Sequence, residues 1–261
     1  MDKINPKFKK VATAAAKKSG AMLLKEFLRF DRSQIAFKSK HEVVTKHDTA
    51  SERLLRLEIL RAFPDHAILG EEEGLGDIKS DYLWIIDPID GTTNFTFHNP
   101  LWSISIALTY QQQVILGVVY IPVLDEMFVA ERLGGATLNN KKIRVSNMKS
   151  DDSIHTFCHG YEIKDIELAL KYYKKQKQTK FDCRQLGSAA LELAYVAGGR
   201  AESIMIPGAK PWDIAAGVLL VREAGGQVTN IEGKPWQLSD RSVLATNGII
   251  HDELIKMIKS L

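Results

Sequence analysis

The stretch from Trp84 to Phe95, WIIDPIDGTTNF, constrains this chain more than any other. An apolar run suited to a buried strand stops at Asp87, and Pro88 then fixes the backbone for a turn. Asp90 follows three residues later, and Gly91-Thr92-Thr93-Asn94 comes next. Carboxylates three apart across a tight turn can converge on one point. Unpaired, they would repel and be costly to desolvate, so a hard cation with oxygen ligands is their natural partner. Gly91 allows a close backbone approach, and a helix beginning there would offer N–H groups to an anion. The same residues could also form a plain acidic turn, and the rest of the chain has to decide between the two.

Further acids stand at places where elements begin or end. Gly70-Glu71-Glu72-Glu73 directly follows the short apolar run Ala67-Ile68-Leu69. Pro211-Trp212-Asp213-Ile214-Ala215-Ala216-Gly217 sets a lone aspartate at the start of an apolar helix. Asp48 precedes a second helix. Asp213 and Asp48 each read equally well as helix caps, so both roles stay open from the residues alone.

The pattern of elements is that of an α/β chain. Phe8, Val11, Ala12, Ala15, Met22, Leu23 and Phe27 recur at helical spacing, giving a long opening helix. Thr49 and Glu52 have the spacing of a capping box for a second helix, which Pro64 ends. Leu101 to Ala130 alternates as strands, with Gln111-Gln112-Gln113 as the hairpin turn. Beyond it come a lysine-rich helix over 164–175, a helix that Ser188 would cap and Gly198-Gly199 would stop, a strand near 201–206, and a helix over 212–223. Strands near 227–229 and 243–246 precede a last helix from His251. At 261 residues, 45% hydrophobic and 26% charged, the chain could form one large domain or two packed halves. The expected division is 1–150, an α+β part with most of the acids, and 151–261, an α/β part with Asp213.

Charge and cysteine usage narrow the class. No apolar run approaches the roughly 20 residues a membrane helix needs, and the first residues, Met1 to Pro6, lack the apolar core of a signal peptide. Cys158 and Cys183 have no metal-type spacing and read as buried thiols in a reducing, cytoplasmic setting. The net charge is only +3. Lysines cluster at 7, 9, 10, 17 and 18 and again at 171, 174, 175, 177 and 180, with few interleaved aromatics. That pattern reads as two solvated helix faces and makes nucleic acid an unlikely partner.

Taken together, Val44-Thr45 to Asp48, Gly70-Glu71-Glu72, Trp84 to Phe95, Gly187-Ser188-Ala189-Ala190, Trp212 to Gly217 and Glu223 to Gly226 resemble the inositol monophosphatase family of lithium-sensitive, magnesium-dependent phosphatases. The matches run in order through most of the chain. The resemblance implies that family's alternating layers of helices and mixed sheets, and hydrolysis of a phosphate monoester of a small polyol or sugar, with inositol 1-phosphate first in line. It implies two to three Mg2+ ions, with Mn2+ as a substitute, held by Glu71, Asp87, the backbone carbonyl of Ile89, Asp90 and Asp213. Asp48 and Thr92 would activate water together with Glu71. Gly91, Thr92, Gly187, Ser188 and Asp213 would hold substrate, and the family commonly forms homodimers.

Substrate choice is the open question. Family members specific for inositol carry an acid seven positions before the aspartate of the Trp-Asp motif, and here that position is Ile206. A fructose-1,6-bisphosphatase, a histidinol-phosphatase or a nucleotide phosphatase are the alternatives within the class, and a binding module with a relic site lies outside it. Lys210 could serve a second anionic group or simply be solvated. Lys38 falls near a family lysine. Asp90, read as a metal ligand, is expected to repel its neighbours in the metal-free protein, so that Asp90→Asn would leave stability unchanged or raise it.

Overall fold

The computed structural model describes residues 4–39, 42–149, 153–178 and 182–261. Lys180 of the second lysine cluster and residues 1–3 lie outside the described residues, as does the side chain of Lys38. Among the described residues there are seven α-helices: α1 Pro6–Phe27, α2 Lys46–Ala62, α3 Thr92–Thr96, α4 Ile163–Lys177, α5 Ala189–Ala197, α6 Pro211–Glu223 and α7 His251–Lys259. The strands fall into three sheets. A two-stranded ribbon joins β1 Ala36–Ser39 to β2 Glu42–Val44. An eight-stranded mixed sheet contains β3 Ala67–Gly70, β4 Gly74–Leu75, β5 Tyr82–Asp90, β6 Ser103–Tyr110, β7 Gln113–Ile121, β8 Glu126–Glu131, β9 Gly135–Leu138 and β10 Lys141–Lys142, in the order β10-β9-β8-β7-β6-β5-β3-β4. A five-stranded sheet contains β11 Ile154–Phe157, β12 Asp182–Arg184, β13 Ser203–Pro207, β14 Gln227–Thr229 and β15 Ser242–Thr246, in the order β12-β11-β13-β15-β14.

These elements stack in five layers. α1 and α2 cover one face of the large sheet, α5 and α6 lie between the large sheet and the five-stranded one, and α4 and α7 cover the far face. The two faces of β6 show why the layers sort this way. Ile104, Ile106 and Leu108 point into the core shared with α1 and α2, whereas Ser103, Ser105 and Ala107 face α5 and α6. Small residues on that side let α6 approach closely. Ala107 pairs with Gly117 of β7, where a Cβ would stand only 2.6 Å from the carbonyl oxygen of Ala216 in α6. α6 answers with its own small stretch, Ala215-Ala216-Gly217. No helix among the described residues is long and apolar enough to cross a membrane.

The ladder between β5 and β6 is irregular where the acids lie. It pairs Asp87 with Ser105 and then Asp90 with Ser103, so β5 carries one extra residue beside Pro88. Proline has no N–H for the ladder, which favours a bulge at this point. In a regular strand residues three apart face opposite sides. The bulge reverses that parity and brings Asp87 and Asp90 to the same side.

The elements expected from periodicity are present, but the strand expected to stop at Asp87 with a turn at Pro88 instead continues through the bulge to Asp90, and two helix starts need correction. The capping box of α2 is Thr45 with Asp48, one turn earlier than Thr49 with Glu52: Thr45 Oγ1 accepts from His47 N–H at 3.1 Å, and Asp48 Oδ2 accepts from Thr45 N–H at 2.8 Å. Ser188 occupies the position before α5, but its hydroxyl caps nothing there and donates to Asp90 instead. Because Gly117 sets the spacing between β7 and α6, Gly117→Val should force the layers apart and cost about 1–3 kcal/mol of stability. Urea unfolding checks this, and an unchanged midpoint would show that the interface can yield.

Candidate active site

A cavity of about 320 Å3 opens where the bulge of β5, the start of α3, the turn before α5 and the start of α6 meet. Glu71, Asp87, Ile89, Asp90, Gly91, Thr92, Gly187 and Asp213 line it, so the structure brings most of the expected site residues to one place. Asp48 and Ser188 stand directly behind this lining, each hydrogen-bonded to a member of it. A larger hollow of about 800 Å3 lies elsewhere, walled by Ile4, Phe8, Tyr82, Tyr110 and Ile115, and offers none of these groups.

Asp87, Asp90 and Asp213 are each held by backbone or hydroxyl donors. Asp87 ends the regular part of β5, and its Oδ1 accepts from Ile89 N–H at 3.0 Å. Asp90 accepts from Ser188 Oγ at 2.5 Å, from Ala190 N–H at 2.7 Å and from Ala189 N–H at 3.2 Å. It therefore caps α5 from another part of the chain. Both of its oxygens accept backbone N–H groups, so Asp90→Asn would turn an amide donor toward one of them, a cost that opposes the gain expected from shedding a repelling charge. Asp213, in the first turn of α6, accepts from Lys210 N–H at 2.8 Å. Asp48 and Asp213 thus serve as caps while standing at the pocket, so the two readings of each are compatible.

Thr92 Oγ1 stands 3.0 Å from Asp48 Oδ1 and 3.0 Å from the Ile89 carbonyl oxygen. Both are acceptors, so the hydroxyl proton points to them and an oxygen lone pair is left for another donor. Gly91 begins α3 in the left-handed region, at φ 95°, and a Cβ there would come within 3.0 Å of the Gly187 carbonyl oxygen. The N–H groups of this first turn have no acceptor within the helix. Asn94 Nδ2 ties α3 to its surroundings by donating to the carbonyls of Leu101 (2.6 Å) and Leu186 (2.7 Å).

Burial, and then crowding, raises the proton affinity of Asp87 and Asp213. Asp87 is pushed well above the usual carboxylate range by burial, then by the charges of Glu71, Asp90 and Asp213, and by a hydrogen bond with the Glu71 side chain. Asp213 keeps some contact with solvent through the pocket mouth, yet it too is pushed well up by desolvation and by Asp90 and Glu71. Burial also raises Asp90, against the pull of its donors, and lifts Asp48 to about 6. Among the described residues no three such side chains already enclose a point at ligand distance. Asp87 and Glu71 are joined instead by a hydrogen bond that needs a proton between two carboxylates. A divalent cation in place of that proton would relieve the repulsion and suit an all-oxygen donor set, so the residues present fit a hard metal.

Sequence reasoning missed two buried acids beside the site. Glu192 accepts from the N–H groups of Gly187 (3.0 Å) and Leu186 (3.1 Å) and from Cys158 Sγ at 2.9 Å, and burial pushes it up to about 7. Glu52 is fully buried behind Glu71. By its spacing from Thr49, Glu52 reads only as a capping-box partner, and Glu192 gives no signal beyond a charge on the apolar face of its helix. Cys158 and Cys183 are both buried free thiols, as expected. Glu202, the nearest acid upstream of Ile206, spends its carboxylate on Ile154 N–H (2.6 Å) and Ser146 Oγ (2.8 Å), away from the pocket.

A pH dependence arises from the raised acids. Their folded pKa values exceed those of the unfolded chain, so the folded state binds more protons between about pH 4 and the folded values, and stability falls as pH rises through that window. In a chelator, the melting temperature should drop from about pH 5 to about pH 8, and Mg2+ should remove most of the drop by replacing the protons. Thermal unfolding across that range checks it, and a melting temperature that rises with pH in the chelator would count against the crowding.

The chain is similar to proteins of one family along nearly its whole length. A model of the inositol monophosphatase family matches residues 5–261. A fructose-1,6-bisphosphatase/inositol-1-monophosphatase of Thermotoga maritima is 38% identical, over 94% of this chain and 93% of its own. A Nus factor SuhB of Pasteurella multocida is 39% identical, over 95% and 94% of the two chains. The crystal structure of the extragenic suppressor protein SuhB from Bartonella henselae superposes with a TM-score of 0.91 at 33% identity, covering 97% of this chain and 98% of that one. With one family model spanning nearly its whole length and layered structures of the same kind as its neighbours, the chain belongs to the inositol monophosphatase family.

Proposed function

We propose that the chain is a phosphoric monoester hydrolase that uses Mg2+, with Mn2+ as a substitute, to cleave the phosphate ester of a small polyol or sugar, inositol 1-phosphate being the first candidate. The observation that carries this reading is the Thr92–Asp48 pair at 3.0 Å, Thr92 lining a pocket walled by Glu71, Asp87, Asp90 and Asp213 and Asp48 directly behind it. A chain retained only for binding would have no use for carboxylates whose mutual repulsion costs stability.

Glu71, Asp87, the Ile89 carbonyl, Asp90 and Asp213 would hold two to three cations. Bound there, these supply Lewis-acid chemistry, offsetting phosphate charge and making water and the leaving oxygen easier to work with. The chain's own residues do the rest. Asp48, ionised above about pH 6, accepts the Thr92 proton in a hydrogen bond, which turns the Thr92 lone pair toward a water and orients it for in-line attack. The N–H groups of Gly91 and Thr92, at the start of α3, receive phosphate oxygens. Gly187 and Ser188 shape the opposite wall, with Ser188 held by its bond to Asp90.

On the alcohol side, Ile206 is buried in β13 and presents an apolar surface to the pocket, while exposed Lys210 stands at its edge. A wall with no acceptor at the Ile206 position discriminates among alcohols less sharply, because specificity depends on leaving buried polar groups unpaired. This supports a broad substrate range, and the dual name of the Thermotoga relative points the same way toward sugar bisphosphates.

Activity on a panel of phosphate esters should appear with Mg2+ or Mn2+ and vanish in a chelator; turnover that survives chelation would end the metal reading. Asp213→Asn should lower kcat by orders of magnitude while metal-free stability holds or rises, since Asn keeps an acceptor for Lys210 N–H and sheds a repelling charge. Retained kcat with lost stability would instead make Asp213 a cap alone. Ile206→Glu should favour inositol 1-phosphate over glycerol 2-phosphate, mainly through a lower KM. If the variant loses activity on inositol 1-phosphate while the native enzyme strongly prefers it, another residue reads the hydroxyls.

A further inference from the structure

We propose that Glu52 is a positioning residue that holds Glu71 against the other carboxylates, and that α2 thereby ties the metal ligands to the Thr92–Asp48 pair. The inference rests on Glu71 being a metal ligand. Glu52 has no contact with solvent, which for a carboxylate requires full pairing. Its Oε2 accepts from Glu72 N–H at 2.7 Å, and its Oε1 accepts from Glu73 N–H at 3.0 Å and from Arg56 Nε at 2.9 Å. Arg56 in turn donates to the Gly74 carbonyl at 2.5 Å. The Glu52 carboxylate fills the space where a side chain on Gly70 would be, so the residue before Glu71 and the two after it are all fixed by one carboxylate. On the other side, Glu71 N–H donates to the Ile86 carbonyl of β5 at 3.3 Å.

This clamp has a physical purpose. Glu71 sits in a turn rather than in the ladder of the sheet, and it faces Asp87, Asp90 and Asp213. Without an anchor the turn could swing outward and relieve the repulsion, and the ligand set would lose a member. Charge-assisted bonds from two backbone N–H groups and a guanidinium make that swing expensive. Glu52 and Asp48 are four residues apart on α2, hence on the same helical face. The rigid helix therefore fixes the turn bearing Glu71 relative to the carboxylate that orients Thr92. An engineered site fails when such supports are left to chance, because a ligand displaced by an ångström no longer closes on the ion.

The test is calorimetric titration of Mn2+ into the metal-free protein, well below its melting temperature. Glu52→Gln keeps the shape but turns an N–H donor toward a backbone N–H. It should weaken Mn2+ binding by tenfold or more, with kcat approaching the native value at saturating metal. Arg56→Met should weaken binding in the same direction by a smaller factor, and it serves if the first variant fails to fold. In a double-mutant cycle, adding Glu52→Gln to Glu71→Gln should cause little further loss, since Glu52 acts through Glu71. A lowered melting temperature with native Mn2+ affinity in both variants would overturn the proposal and leave Glu52 a purely structural residue. Native protein that takes up no Mn2+ would overturn the metal-phosphatase reading itself, a result distinct from equal binding by native and variant.

Discussion

Four carboxylates facing one small volume is an arrangement that a protein without a compensating charge has to hold together by force. Desolvation and mutual repulsion push Asp87 and Asp213 well above the ordinary carboxylate range, and Asp87 and Glu71 are left sharing a hydrogen bond. Much of the surrounding structure can be understood as the means of keeping the site's acids, with Asp48 behind them, in place. Asp90 is tied to the start of α5, Asp213 to the start of α6, Asp48 to the start of α2 and Glu71 to the turn behind Glu52. Three of the four anchors are helix N-termini, where the exposed N–H groups and the helix dipole both favour a negative charge. The acids therefore stabilise the scaffold locally while they destabilise one another, and a divalent cation would turn the second effect around.

Bringing the anchors together requires the layers to pack closely. The side of β6 and β7 that faces α6 carries Ser103, Ser105, Ala107 and Gly117, while the opposite side carries Ile104, Ile106 and Leu108. Large residues on the near side would hold α6 away and take Asp213 out of reach of Asp87. The seam is also fastened by polar contacts, with Ser105 Oγ donating to the Trp212 carbonyl at 3.0 Å and Ser103 Oγ within 3.3 Å of Ser188 Oγ. Ser103 links this packing to the site, since its Oγ also stands 3.3 Å from Asp90 Oδ2.

The buried acids outside the ligand set extend the same logic. Glu192 holds the turn at Leu186 and Gly187, which lies against Gly91, and Glu52 holds the turn at Glu72 and Glu73. Each places a carboxylate under a backbone turn so that its N–H groups are satisfied without water. Neither residue touches the pocket, yet both limit how far its walls can move.

Some of this was legible in the sequence. Apolar spacing is a local property, so it revealed the helices, the hairpin at Gln111-Gln112 and the buried strands that lead into Glu71 and Asp87, but not that β5 continues past Asp87 to Asp90. The ordered motifs, from WIIDPIDGTTNF to Trp-Asp-Ile-Ala-Ala-Gly, indicated the family, and it was that resemblance that implied the residues lining the pocket. Tertiary structure decided the rest. That Asp87 and Asp90 share a side depends on a bulge seen only in the pairing of β5 with β6. That Asp90 caps α5 depends on a contact 100 residues away along the chain, between Asp90 and Ala190. Glu52, which fits a capping box by spacing, lies on the buried face of α2 and reaches the next turn instead. Spacing records what a residue does for its own element; only the packed layers record what it does for another, since side chains far apart in sequence meet solely through the geometry of the core.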